Sequence, residues 1–261
     1  MARREIRGMR ALVTGASSGI GRAIARELVC QGADVVVLAR RADRLQTLVA
    51  EIGQLGRRGC AVVGDVTDAA TRLAAVRCAE EQLGGLDILV NNAGIAAAGR
   101  LDAAQPEQLR ELWETNVVAV VEMTRVALPL LRRGNRPLVV NVASVLSHVA
   151  IAQMSAYCAA KFAVRGFSEA LRAELFPDGI DVLVVNPGTV ATEIWARAGR
   201  DESRTGWRTS PGVAPEFIAA QAVRAMRRGW HAVAPGFLTK LAILASRLFP
   251  GGVAWFTARR H

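Results

Sequence analysis

A chain of 261 residues, 51% hydrophobic and 21% charged, is large enough for one sizeable α/β core and too apolar for wholesale disorder. Its formal charge of +10 rests almost wholly on arginine, since Lys161 and Lys240 are the only lysines, and no basic stripe with interleaved aromatics accompanies it, so nucleic acid is not an expected partner. Four scattered cysteines (Cys30, Cys60, Cys78, Cys158) and three histidines offer no zinc-type ligand set; no metal site and reduced, mostly buried thiols are the expectation.

Along the chain, strand-like and helix-like segments alternate. The charged start, Met1 to Met9, carries no apolar run of signal-peptide type. Ala11–Val13 is a short apolar run, and Gly19–Gln31 then has helical spacing through Ile20, Ile24 and Leu28. Asp34–Ala39 reads as a fully buried strand, followed by a helical stripe over Leu45, Leu48, Val49, Ile52 and Leu55. Strands are expected at Ala61–Val66 and Ile88–Val90, with a helix over Ala69–Leu83 between them. One long helix is expected from Pro106, suited to a first turn, to Leu131. Leu138–Val142 and Val182–Val185 continue the strand series around a helix from Ser155 to Phe176.

Strands that are apolar throughout are covered on both faces, and a repeated β-then-α order implies parallel strands joined by right-handed crossovers. The expected fold is therefore an α/β, Rossmann-like, doubly wound parallel sheet. It forms a single domain over 1–234, with a C-terminal helical extension over 235–261. Thr189 to Gly212 breaks the rhythm and reads equally as a mobile lid or as a loosely packed connector.

Directly after the first strand comes TGASSGIG (14–21), which opens a helix. Gly15, Gly19 and Gly21 allow a sharp turn and close approach to a pyrophosphate, and the helix N-terminus offers unpaired N–H groups. Ser17, Ser18 and Ile20 lie in the same turn. At the first βα junction of a doubly wound sheet this is a dinucleotide cradle. The second strand ends in Ala39, followed by Arg40 and Arg41 rather than by an acidic residue. Guanidinium groups there favour a 2′-phosphate, hence NADP(H) over NAD(H).

Tyr157 is the only tyrosine, and Lys161 lies four residues on, so one helix face presents both. An ammonium beside a phenol favours phenolate, and an oxidised nicotinamide adds to the effect, which suits Tyr157 to proton transfer while hydride moves. Ser144 ends the NVAS segment after a strand and is placed to hold a substrate oxygen. Asn116, in the long helix, is placed to link Lys161 to solvent through water.

These residues together resemble the short-chain dehydrogenase/reductase family, NADP-preferring type, over about Arg10 to Ala234. The matching motifs are TGASSGIG, GDV at 64–66, NNAG at 91–94, Asn116, Ser144, Tyr157-x-x-x-Lys161, and NPG at 186–188 followed by Thr192. The resemblance implies an oxidoreductase with Asn116, Ser144, Tyr157 and Lys161 as catalytic tetrad. It implies that Asp65 and Val66 border the adenine, that Asn92 lies near the cofactor ribose, and that Pro187, Gly188, Val190 and Thr192 reach the nicotinamide end. It also implies a homodimer or homotetramer. Leu146, Val149, Ile151, Met154 and Trp195 argue for a hydrophobic carbonyl or secondary alcohol as substrate. A non-catalytic dinucleotide sensor of the same fold is the rival reading, and an isomerase or dehydratase a third. In the extension, Phe237, Leu241, Leu244 and Leu248 form one stripe flanked by Lys240 and Arg247. It is suited to a membrane surface, a partner subunit or its own domain, in an otherwise cytoplasmic protein.

Overall fold

The protein is described by a computed structural model covering residues 3–194, 212–249 and 251–252. Seven parallel strands form one sheet in the order β3-β2-β1-β4-β5-β6-β7. They are β1 (Arg10–Thr14), β2 (Asp34–Ala39), β3 (Gly59–Val63), β4 (Ile88–Asn91), β5 (Leu138–Val142), β6 (Asp181–Val185) and β7 (Ala232–Val233). Alternation along each strand divides the core into two layers. Ala11, Val13, Val35, Val37, Ile88, Val90, Leu138 and Val140 face one side. There they meet α1 (Gly19–Cys30), α2 (Ala42–Gln54) and α7 (Pro215–Arg228). Leu12, Val36, Leu89, Val139 and Val182 face the other side. They pack on α3 (Ala69–Leu83), α5 (Ala119–Leu131) and α6 (Ser155–Leu175). Both faces are buried because the crossovers alternate sides, which is why these strands are apolar on both faces along most of their length.

The expected doubly wound sheet is present, with three local departures. The third strand stops at Val63, not Val66, because Asp65 turns back to accept from Thr67 N (2.9 Å) and Asp68 caps α3 through Thr71 N (2.8 Å). As an edge strand β3 is only partly covered, and Val63 is 54% exposed. The expected helix over 106–131 is three pieces: α4 (Pro106–Trp113), a π turn at Glu114–Val118, and α5. The cysteines also differ from expectation. Cys60 on β3 and Cys78 on α3 are brought side by side by the crossover, sulfur facing sulfur, while Cys30 and Cys158 stand apart.

The order of winding reverses between β1 and β4, so the crevice at their C-terminal ends is where a doubly wound sheet takes ligands. Segment 189–212 is tied at its base: Val190 bridges Val213, Ala191 N donates to Val213 O (3.0 Å) and Val213 N to Thr189 O (3.1 Å). The expectation of a lid or connector falls mostly on residues outside those described, as does Trp195. Beyond β7, α8 runs from Phe237 to Leu248.

Candidate active site

A cleft of about 870 Å³ opens at the C-terminal ends of β1, β2 and β4. Of the residues expected at a dinucleotide, Gly15, Ser17, Ser18, Gly19, Ile20, Arg40, Arg41, Asp65, Val66, Asn92 and Thr192 line it. Gly15 adopts φ +67°, and a Cβ there would lie 2.8 Å from Ala93 Cα, so backbone meets backbone at this crossing. Gly21 lies behind the turn, where a Cβ would strike Gly15 O and Asn92 Nδ2. Thr14 Oγ1 ties the two loops, accepting from Asn92 N and Ala93 N at 3.0 Å each. That role was invisible in sequence, where Thr14 is only the last residue of a strand.

The cradle fits a dinucleotide. Helix α1 starts at Gly19 with Ser18 in the N-cap position but no side-chain capping bond, and no acidic residue sits in its first turn. Its first N–H groups are thus left to an anion in the cleft. Ser18 Oγ instead accepts from Arg41 Nη2 (2.5 Å), and Ser17 Oγ accepts from Arg41 Nε (3.1 Å).

The two expected arginines differ in state. Arg40 is half exposed at the cleft, with only a long contact (3.5 Å) to Asp65. Arg41 is engaged by both serines and by Glu193 (2.6 Å), which also pairs with Arg44 at 2.7 Å. Bonds from Arg41 and Arg44 hold the Glu193 carboxyl down at about 2. Glu193 lies far along the chain from Arg41, and no sequence signal marks it.

Beyond Asn92 the cleft runs past Gly94–Gly99 to Met154–Ala156, at the start of α6. Tyr157 and Lys161 project from that helix, 5% and 6% exposed, with the Lys161 ammonium 5.7 Å from the phenol ring centre. The Tyr157 hydroxyl is hydrogen-bonded to Ser144. Lys161 Nζ donates to Val142 O (3.2 Å). Ser144 itself caps a 3-10 turn (Val145–Ser147) by accepting from Leu146 N at 3.1 Å.

The π turn explains Asn116. One extra residue in the helical register turns this side chain inward, where it is 1% exposed. It accepts from Ile95 N (2.9 Å) and donates to Ile95 O (2.8 Å), clamping the NNAG loop. A Cβ on Gly94 would stand 2.9 Å from Asn116 Oδ1 and 3.8 Å from Lys161 Nζ, so the three groups converge there. Asn116, Ser144, Tyr157 and Lys161, scattered in sequence, are thereby gathered together behind the Gly94 and Ala156 wall of the cleft, though none of the four lines it.

The NPG turn supports this end from behind. Pro187 O accepts from Val145 N (2.8 Å), and Ser147 Oγ donates to Asn186 Oδ1 (2.9 Å). Gly188 lies under Thr239 of α8, Val190 is buried, and the Thr192 methyl packs over Gly19. A buried polar chain, Asn91 to Asn141 to Ser168 (2.9 and 2.8 Å), joins β4, β5 and α6 beneath the site.

The electrostatics differ from the simple expectation of an acidified phenol. Burial pushes the Tyr157 phenol above its ordinary value of 10, opposed by the Ser144 hydrogen bond. Burial also lowers the Lys161 ammonium to about 8. In the unfolded chain that ammonium stays protonated to about 10.5, so its burial weakens the fold below pH 8, and the penalty fades as pH rises from 8 to 10.5. Lys161→Met is therefore expected to stabilise the protein at pH 7 by up to about 3 kcal/mol, with the gain gone near pH 10.5. Denaturant unfolding at the two pH values checks this; a destabilised variant at pH 7 contradicts it.

Three comparisons bear on what this geometry is. Residues 9–203 match the family model for short chain dehydrogenases. A short chain dehydrogenase of Pseudocercospora fijiensis is 38% identical over 195 residues, covering 74% of this chain and 63% of that relative. A solved short chain dehydrogenase from Burkholderia cenocepacia, in complex with NADP, superposes with TM-score 0.78 at 35% identity, covering 89% of this chain and 98% of that one. Another from Burkholderia phymatum, in complex with NAD, gives TM-score 0.84 at 25% identity, covering 96% and 95%. The chain belongs to the short-chain dehydrogenase/reductase family, whose members use a nicotinamide dinucleotide.

Proposed function

We propose that this oxidoreductase passes hydride between NADP(H) and a hydrophobic carbonyl or secondary alcohol, with Tyr157 as the acid/base. The observation that carries the reading is the Tyr157–Ser144 hydrogen bond just behind the Met154–Ala156 side of the cleft, one helical turn from a buried ammonium. The dinucleotide, when bound, supplies or accepts the hydride. The rest of the chemistry falls to side chains. Ser144 donates to the substrate oxygen and orients it. Tyr157 gives its hydroxyl proton to that oxygen in reduction, or takes one in oxidation, at a group whose burial keeps it protonated until charge develops. Lys161, a compact point charge with three donors, favours the transient phenolate and has donors left for ribose hydroxyls. Asn116 holds the Ile95 backbone, and with it the floor between Lys161 and the cleft.

Glycines 15, 19 and 21 with Ser17, Ser18 and Ile20 take the pyrophosphate, and Asp65 and Val66 the adenine. Asn92 takes the ribose, and Pro187, Gly188, Val190 and Thr192 the nicotinamide end. Arg40, the arginine with little else to bind, takes the 2′-phosphate. Ile95, Leu146, Ile151, Met154 and Ile194 cluster beside Tyr157 and give the substrate end an apolar lining. A non-catalytic sensor has no need of a buried ammonium and phenol assembled in this way.

Arg40→Ala is expected to raise the KM for NADPH at least about tenfold, the loss of one charge-assisted contact, while moving that for NADH by less than about twofold. Initial rates with either cofactor against a panel of hydrophobic carbonyls read this out. Equal effects on both would withdraw the NADP assignment.

A further inference from the structure

Helix α8 is amphipathic the wrong way round for a helix that completes its own domain. Thr239, Ala242, Ile243 and Ser246 are the partly buried side, yet its large apolar residues point away from the protein. Phe237 is 77% exposed, Leu238 78%, Leu241 49%, Leu244 52% and Leu248 62%, and Phe249 follows at 69%. Leaving such a stripe in water is unfavourable, and contiguous apolar patches of this kind mark interaction sites. No helix among the described residues is long and apolar enough to cross a membrane, so the surface in question is one the helix lies on.

Charge selects among occupants. Lys240 and Arg247 border the stripe, and α8 itself carries no acidic residue. Two copies packed stripe to stripe would bring Lys240 and Arg247 of each together with no carboxylate from the helix to offset them. An anionic surface matches them, and long basic side chains can bury their stems while their charge meets lipid headgroups. The geometry points to α8 as an interfacial helix that docks this enzyme on anionic bilayers, with Phe237, Leu241, Leu244 and Leu248 in the acyl boundary.

The position of α8 gives the docking a consequence. Its Thr239 covers Gly188 of the NPG turn, and the helix packs on the 3-10 turn that follows Ser144. The substrate end of the cleft therefore sits beside the docked face. A lipophilic carbonyl dissolved in the bilayer is the substrate class this arrangement serves. That second half rests on the hydride-transfer reading above; the docking does not, and it is measured without turnover.

The test is co-sedimentation of the full chain with vesicles of phosphatidylcholine alone or of phosphatidylcholine and phosphatidylglycerol in equal parts. Wild type is expected to favour the anionic vesicles. Lys240→Gln with Arg247→Gln weakens that binding roughly thirtyfold, from two charges near the surface, and leaves the weak binding to neutral vesicles unchanged. Leu241→Glu with Leu244→Glu lowers binding to both by about a hundredfold or more. Circular dichroism and an unchanged melting temperature show that the variants fold. Equal sedimentation of wild type and the leucine variant overturns the proposal. So does a wild-type dimer, seen by analytical ultracentrifugation, that the leucine variant dissociates while neither binds vesicles, since a second copy then covers α8. A leucine variant that unfolds, from a wild type that ignores both vesicles, overturns it too and assigns the stripe to the chain's own residues 253–261.

Discussion

Tyr157→Phe is expected to lower turnover by about a thousandfold or more while the affinity for NADPH changes less than about threefold, because it removes one proton and almost no volume. Tyr157 is the only tyrosine in the chain, and among the described residues no histidine lines the cleft, whose carboxylates are Asp65, Glu111 and Glu193. Rates under single-turnover conditions, with cofactor binding followed by the change in NADPH fluorescence, separate the two effects. A variant turning over within tenfold of wild type would falsify the acid/base assignment. The same uniqueness gives a spectroscopic test, since any phenolate absorbance of the folded protein belongs to this residue. In the cofactor-free protein burial holds the phenol above its ordinary value of 10, so ionisation is expected to begin later than in the unfolded chain. With NADP⁺ bound, the added positive charge should move the onset to lower pH. An onset unaffected by the oxidised cofactor would mean that ring and phenol do not communicate.

Asp87→Ala is expected to cost about 3–5 kcal/mol of stability, or roughly 10 °C in Tm, without changing the rate per folded molecule. Asp87 is 2% exposed just before β4, at the end of the sheet opposite the cleft. Its carboxylate accepts from Arg10 Nε (2.9 Å), Arg10 Nη2 (2.7 Å), Arg10 N (2.9 Å) and Asn135 N (2.6 Å). Alanine would leave two backbone donors and a half-buried guanidinium without that acceptor. The pH dependence follows from the direction of the shift. Burial raises the Asp87 carboxyl, but the bonds from Arg10 and Asn135 outweigh it and leave the value below the ordinary 3.8. The stabilisation is therefore complete above about pH 4 and is lost as pH falls through the lower, folded-state value. Thermal melts at pH 7 and at successively lower pH should show the gap between wild type and variant closing in acid. A Tm shift under about 2 °C at pH 7 would mean that the network is idle.

Much of the site was legible from local pattern. A glycine turn between an apolar strand and a helix, a strand ending in Arg40 rather than an acid, and a tyrosine and lysine one helical turn apart are short-range features whose geometry the backbone dictates. The two-faced apolar strands specified the layered sheet for the same reason, since period and burial are properties of a few adjacent residues. Helix interruption was not legible. Residues 114–118 (ETNVV) carry no proline or glycine, and the π turn is favoured by what Asn116 finds once inside, the two backbone groups of Ile95.

What the sequence determined by itself was the parallel α/β scaffold, the glycine-rich cradle and the placing of Tyr157 and Lys161 on one helix face, because each depends on neighbours within a turn or a strand. Tertiary structure alone decided the charge states and the long-range partners. It buried Tyr157 and Lys161 so that desolvation raises the phenol and lowers the ammonium, and carried Glu193 across to Arg41. It brought Cys60 beside Cys78 and turned the apolar side of α8 outward. Such outcomes depend on which surfaces meet in space and how much water they exclude, and nothing in the order of residues along a segment encodes that.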